Sequence, residues 1–121
     1  MRQACLVGID VGTSGVKVLL LAPDGRILAT AVEEYPLYMP QAGWTEQEPA
    51  DWWAATASAL RKVLAGDAAL DIQAIGLSGQ MHGMVALDTR MQVVRRAILW
   101  NDQRTERQCR CLLYTSDAAD E

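Results

Sequence analysis

The chain has 121 residues and is short of most features that would give it an unusual lifestyle. It carries no basic excess: Lys and Arg total 11 against 15 Asp and Glu, for a net charge of −4. A nucleic-acid binder would normally present a basic face, so that class is set aside. The acidity is mild and bears on solubility more than on any cationic partner. It carries no long apolar run. Val16–Ala22 is interrupted by Lys17 and falls far below the ~20 residues that a membrane span needs. Met1–Cys5 passes straight into a strand-like segment with no apolar leader and small-residue cleavage site. Cysteine is scarce and odd in number (Cys5, Cys109, Cys111), and makes no zinc pattern with the single histidine, His82. An odd count without an export signal predicts a reducing, cytoplasmic setting. No low-complexity stretch or internal repeat is present, and half of the residues are apolar, so the composition is that of one small globular unit.

The apolar pattern predicts an α/β domain. Ala4–Asp10 is a continuous apolar run closed by an aspartate, as in a central strand covered on both faces. After the turn Gly12-Thr13-Ser14-Gly15, Val16, Val18 and Leu20 alternate with Lys17, Leu19 and Leu21. Pro23-Asp24-Gly25 predicts a hairpin, because Asp and Gly tolerate the positive φ of tight turns. A third strand follows over Arg26–Tyr35, with Ile27, Ala29 and Ala31 on one side and Leu28, Thr30 and Val32 on the other. The opening is therefore an antiparallel three-stranded meander. Pro36–Pro49 holds most of the prolines and reads as loop. The next segment reads as a helix, with Pro49 in the first turn and Asp51 at the positive end of the dipole. Trp53, Ala57, Leu60 and Leu64 are expected to face the sheet, Arg61 and Lys62 to lie in the last turn, and Gly66 to end the helix. Further strands are expected at Ile72–Leu77, Met84–Leu87 and Val93–Trp100, with a turn at Asp88-Thr89-Arg90-Met91. Glu106–Glu121 reads as neither helix nor strand. We divide the chain into a domain portion, residues 1–108, and a tail, residues 109–121, whose sequence from Arg110 onward is expected not to be native to the protein.

Chemistry concentrates in polar residues at strand ends. In Gly8-Ile9-Asp10-Val11-Gly12-Thr13-Ser14-Gly15-Val16-Lys17, an acid closes a strand and glycines allow a tight turn with exposed N–H groups. Converging backbone N–H groups make an anion nest suited to phosphate, with hydroxyls on Thr13 and Ser14 and the charge of Lys17 nearby. The Asp10 carboxylate can hold Mg²⁺, which prefers oxygen ligands and retains several waters. The plainer alternative is a glycine hairpin with incidental polar residues. It is not a Walker A loop, which would end in Gly-Lys-Ser/Thr at a helix. In Leu77-Ser78-Gly79-Gln80-Met81-His82-Gly83, a strand ends in a small-residue turn. There His82 can donate a hydrogen bond to a sugar hydroxyl and Met81 can pack on a sugar's carbon face, or His82 is simply structural. In Trp100-Asn101-Asp102-Gln103-Arg104, Asp102 and Arg104 either pair beside a sugar pocket or cap the following helix.

These segments carry a resemblance. The phosphate-loop segment resembles that of the actin-like ATPases, which include the FGGY carbohydrate kinases, and implies an incomplete ribonuclease H-like domain. Gly43-Trp44-Thr45-Glu46-Gln47-Glu48-Pro49 is similar to a stretch that the FGGY kinases carry before their first helix. Gly79-Gln80-Met81-His82-Gly83 and Trp100-Asn101-Asp102-Gln103-Arg104 resemble the xylulose-phosphorylating members of that family. The resemblance runs in order over about residues 5 to 108. It implies ATP and Mg²⁺ as cofactors, with Asp10 near the metal and transferring phosphate, and with Gly12, Thr13, Ser14 and Lys17 on the phosphate side. It implies D-xylulose as the sugar, met by Met81 and His82, with Asp102 at its border. The family's catalytic aspartate and its second lobe lie beyond this chain, so phosphoryl transfer by these residues alone is expected to be negligible. Strands and faces that pack on that remainder are expected to be exposed.

Overall fold

The computed structural model describes residues 1–66 and 69–119. The chain opens with β1 (Gln3–Val11), β2 (Gly15–Leu21) and β3 (Ile27–Glu34), then a two-residue strand β4 (Glu46–Gln47). Helix α1 (Pro49–Val63), β5 (Leu70–Gly79), a short β6 (Ala97–Ile98) and helix α2 (Glu106–Ala119) follow. The main sheet has the order β3-β2-β1-β5, with β1 parallel to β5 and antiparallel to β2. The meander, the mixed sheet and the α/β class are as expected from the apolar pattern.

One face of the sheet and α1 share the core. Cys5, Val7 and Ile9 of β1 and Val16, Val18 and Leu20 of β2 meet Ala55, Ala59 and Val63 of the helix. The alternation in β1 and β2 follows directly from the two-residue period of a strand. In β3 that period breaks. Leu20 pairs with Ala29 but Leu21 with Ile27, so Leu28 is an extra residue in the ladder. Such a bulge shifts the side-chain phase by one position. Leu28 therefore packs on the core while Ile27 is exposed, and Ala29 and Ala31 keep the inner face.

Helix α1 begins as expected, with Pro49 in its first turn, Asp51 near its N-terminus, and Arg61 and Lys62 in its last turn. Its buried stripe is Ala55, Thr56, Ala59 and Val63, flanked by Trp52 and Leu60. Of the side chains expected to face the sheet, only Leu60 packs on the core, and Trp53 is 74% exposed. The small side chains let the helix backbone lie close to the sheet, which large ones would hold off. The helix stops at Val63 with Leu64 as its cap, before Gly66. Lys62 pairs with Glu33 of β3, tying the end of the helix to the sheet.

The segment read as loop contains β4, and the two strands expected at Met84–Leu87 and Val93–Trp100 shrink to β6 and isolated bridges. Glu46 and Gln47 pair with Ile98 and Ala97, and Met84 bridges to Ile98 from the other side. Pairing here is brief because the chain turns between polar clusters. Asp88 closes the expected turn, its Oδ1 accepting from the amides of Arg90 (2.8 Å) and Gln92 (3.0 Å). The last segment is also helical, against expectation. With no Gly or Pro after Gly83 and an Arg110–Glu106 pair one turn apart, nothing interrupts α2. Residues 120 and 121 of the tail lie outside the described residues.

The side of the sheet beyond α1 is bare. Ile75 and Leu77 of β5 are 61% and 78% exposed, and β5 has no partner on its outer edge among the described residues. Exposed faces of this kind are what the resemblance implied. The helix stripe is directly testable by urea denaturation of this chain. Ala59→Leu, which crowds a fully buried site, should lower stability by about 1–3 kcal/mol. Trp53→Ala should change it by less than ~0.5 kcal/mol.

Candidate functional site

The polar residues at the strand ends gather at one end of the main sheet. Asp10, Gly12 and Thr13 line an open cleft of about 410 Å³ together with Gly79, Gln80, Met81, His82 and Trp100. Ser14 and Lys17 border an adjoining groove that shares Asp10 and Gly12. The parallel pairing of β1 with β5 creates this arrangement, because it brings both strands to their C-terminal ends on the same side.

Around Asp10 the sheet carries glycines at Gly8 and Gly76, one pleat below the aspartate. Asp10 stands opposite Lys17 in the β1–β2 ladder and beside Ser78 of β5. A Cβ on Gly76 would meet nothing within 4 Å. None of the ion pairs among the described residues involves Asp10. No group of three or more His, Cys, Asp or Glu converges among the described residues. A single carboxylate on an open floor suits a cation that keeps most of its waters, as Mg²⁺ does. The residues present therefore fit a hydrated cation and an anionic ligand better than a fully protein-ligated metal.

The turn after β1 is held by its own backbone and by Tyr35. The amide of Gly12 donates to the Gly15 carbonyl (3.0 Å), and the Tyr35 hydroxyl donates to the Gly12 carbonyl. Burial raises the Tyr35 phenol above its ordinary value, and the charge of Asp10 adds to the shift. Gly15 must lack a side chain, because a Cβ there would lie 2.4 Å from the Glu33 carbonyl oxygen.

A closed ring of hydrogen bonds joins this turn to the end of β5. Gln47, 1% exposed, donates from Nε2 to the Thr13 carbonyl (2.6 Å). The Thr13 hydroxyl donates to Gln80 Oε1 (3.2 Å), and Gln80 Nε2 donates back to Gln47 Oε1 (2.9 Å). Two indoles fix the direction of the ring, since an indole N–H can only donate. Trp52 donates to Gln47 Oε1 (3.0 Å) and Trp100 to Thr13 Oγ1 (3.1 Å). The Thr13 hydroxyl proton is thus committed to Gln80, which leaves the backbone and the exposed Ser14 hydroxyl as the free donors of the turn. Met81 is exposed over the cleft, and His82 adopts φ +62°, a left-handed conformation uncommon for a side-chain-bearing residue.

The remaining expected residue, Asp102, lies outside both clefts. Its carboxylate accepts from Arg104 Nε (2.9 Å) and Nη2 (2.8 Å) and from the Thr45 amide (2.7 Å), with a side chain only 2% exposed. Of the two readings open in the sequence, the ion pair is formed. Arg104 also reaches buried Glu46 (2.7 Å) and stacks 3.9 Å over the Trp44 ring. Arg95 pairs with the same Glu46 carboxylate. Sequence reasoning quoted Gln47, Gln80 and Trp100 within motifs without assigning them work. Apart from Trp52, which is five residues from Gln47, their side-chain hydrogen-bond partners lie from 33 to 87 residues away in the chain.

Arg104 and the amide donors draw the Asp102 carboxyl from an ordinary 3.8 down to about 2. A depressed carboxyl contributes stability that is full above its unfolded value and lost as pH falls through its folded one. Asp102→Asn should therefore cost about 2 kcal/mol at pH 7. The gap between variant and wild type should close between about pH 4 and pH 2, read from urea midpoints at each pH.

The profile of the FGGY family of carbohydrate kinases, N-terminal domain, matches residues 5–119. A xylulose kinase of Bacillus subtilis is 47% identical over 106 residues, 86% of this chain and 21% of the relative. A glycerol kinase of Methylobacterium nodulans is 40% identical over 107 residues, with the same coverage of 86% and 21%. The crystal structure of a xylulose kinase from Brucella ovis superposes with a TM-score of 0.86 at 40% identity, covering 95% of this chain and 24% of that one. The chain spans about a fifth of the length of the curated relatives it matches. With its actin-like α/β fold and its cleft at the strand ends, it belongs to the FGGY family of carbohydrate kinases, as part of their N-terminal domain.

Proposed function

We propose that this chain is the N-terminal part of a kinase that transfers the γ-phosphate of ATP to D-xylulose, giving xylulose 5-phosphate. The observation that carries the reading is the cleft itself. Asp10 and the Gly12–Thr13 turn form one wall, and Met81 and His82 form the other. Phosphoryl transfer is mostly positioning and charge neutralisation, so a wall for phosphate facing a wall for the acceptor is the arrangement it needs.

On the phosphate side, Asp10 would hold Mg²⁺ directly or through water, and the backbone of Gly12 to Ser14 with the Ser14 hydroxyl would receive phosphate oxygens. MgATP supplies the transferring group and the metal that neutralises its charge. Lys17, opposite Asp10 in the ladder, adds positive charge to the groove. On the acceptor side, His82 donates to a sugar hydroxyl and Met81 covers a carbon face. Asp102 acts through Arg104 and Thr45, holding the Trp100 loop that closes the cleft. The carboxylate that accepts the hydroxyl proton belongs to the part of the parent enzyme beyond this chain, as does the lobe that closes over the nucleotide.

A second reading has an observation of its own. A glycerol kinase is 40% identical over nearly the same span, which supports a polyol as the alternative acceptor.

Initial rates of the full-length parent enzyme with D-xylulose, glycerol, gluconate and ribulose decide between them. The expected outcome is a clear preference for D-xylulose. Preference for another acceptor keeps the phosphate wall and discards Met81 and His82 as a xylulose signature. In the parent, Asp10→Asn should lower kcat about 100-fold or more, whereas His82→Ala should act mainly on the sugar KM, by about 10-fold. The 121-residue chain alone should show no ATP- and xylulose-dependent turnover above buffer.

A further inference from the structure

Gln47 does not itself line the cleft, yet it bonds to Thr13 on one wall and to Gln80 on the other and so joins them. Its amide is buried and every polar atom on it is engaged, to the Thr13 carbonyl on one side and to Gln80 and Trp52 on the other. Its orientation is forced. Trp52 can only donate and the Thr13 carbonyl can only accept, so a flipped amide would face a donor with a donor and an acceptor with an acceptor. Gln80 is held by the ring and by its own amide, which donates to the Val11 carbonyl (2.9 Å). It immediately precedes Met81 and His82.

We propose that Gln47 is a positioning residue that fixes the spacing between the phosphate-binding turn and the acceptor-binding turn. Given the kinase reading on which it rests, Gln47 sets how the γ-phosphate meets the acceptor hydroxyl and has little part in the affinity for either substrate. With the ring intact, the Thr13 turn and the Gln80–His82 turn move as one body. With it broken, each turn retains its own local bonds and its own ligand, but their separation is free to drift. A misplacement of about 1 Å costs on the order of 100-fold in rate, and a loosened acceptor lets water compete for the phosphate.

The test uses the full-length parent enzyme with Gln47→Ala and with Gln80→Met, which breaks the same ring from a half-buried site and leaves the core intact. In both, kcat per folded molecule should fall about 10- to 100-fold. Calorimetric Kd values for MgATP and for D-xylulose, measured separately, should stay within about threefold. ATP hydrolysed per sugar phosphorylated should rise, which a simple loss of folded enzyme would not produce. A kcat within about twofold of wild type, or a loss lying wholly in the affinity for one substrate, overturns the inference. If Gln47→Ala does not fold, Gln80→Met decides alone. A parent enzyme that phosphorylates none of the acceptors overturns the kinase reading and this inference with it. Normal kcat in the variants of an active parent overturns the inference alone.

Discussion

The site depends on a buried amide that has to be satisfied. Gln47 is enclosed to 1% exposure, and an unpaired amide there would cost on the order of a few kcal/mol. Folding can avoid that cost only by bringing Thr13, Gln80 and Trp52 to it at once. That requirement ties together the turn after β1, the end of β5 and the first turn of α1. A network of this kind rewards one arrangement over its near neighbours, because a shift that breaks one bond leaves several groups unmet. It also explains why β4 exists at all. Two residues of pairing with β6 are enough to set Gln47 in place and bury Glu46 beside it.

Glu46 organises the other half of the site by charge. Its carboxylate receives Arg104 and Arg95, and Arg104 in turn grips Asp102 and lies over Trp44. Buried charges are tolerable only when paired and hydrogen-bonded, and each of these is. The cluster anchors the loop that carries Trp100, whose indole then reaches Thr13. Neighbours in sequence thus serve different purposes: Glu46 holds the loop after β6, while Gln47 holds the phosphate turn.

The rest of the main sheet is a framework with one finished face. Helix α1 covers β2 and β3 through a stripe of small residues, whereas Ile75 and Leu77 on β5 stand bare. Described side chains of α2 through Thr115 are exposed, including Leu112, Leu113 and Tyr114. The relatives are roughly five times as long as this chain, each match covering about a fifth of them. An open apolar edge is physically consistent with a domain that packs on further sequence.

Much of this was legible in the residues, for local reasons. The strand period of two placed Val16, Val18 and Leu20 inward, the Asp24-Gly25 turn closed the first hairpin, and Pro49 and Asp51 marked the start of α1. Those features depend on backbone geometry and on neighbours within a few positions. The strand-end motifs likewise indicated where polar groups would be displayed, and Asp10, Thr13, Met81 and His82 do share one cleft. What the sequence could not decide was any matter of partnership. The bulge at Leu28 depends on its register against β2, and the buried stripe of α1 depends on how closely the helix approaches the sheet. Asp102 was equally compatible with two roles until Arg104, Thr45 and Glu46 were set around it. Gln47 looked like one polar residue in a loop. The sequence alone determined which residues are apolar, which turns are tight and which groups can donate or accept. Only the tertiary structure decided which of them meet, because hydrogen bonds and packing act over a few ångströms of space whatever their separation along the chain.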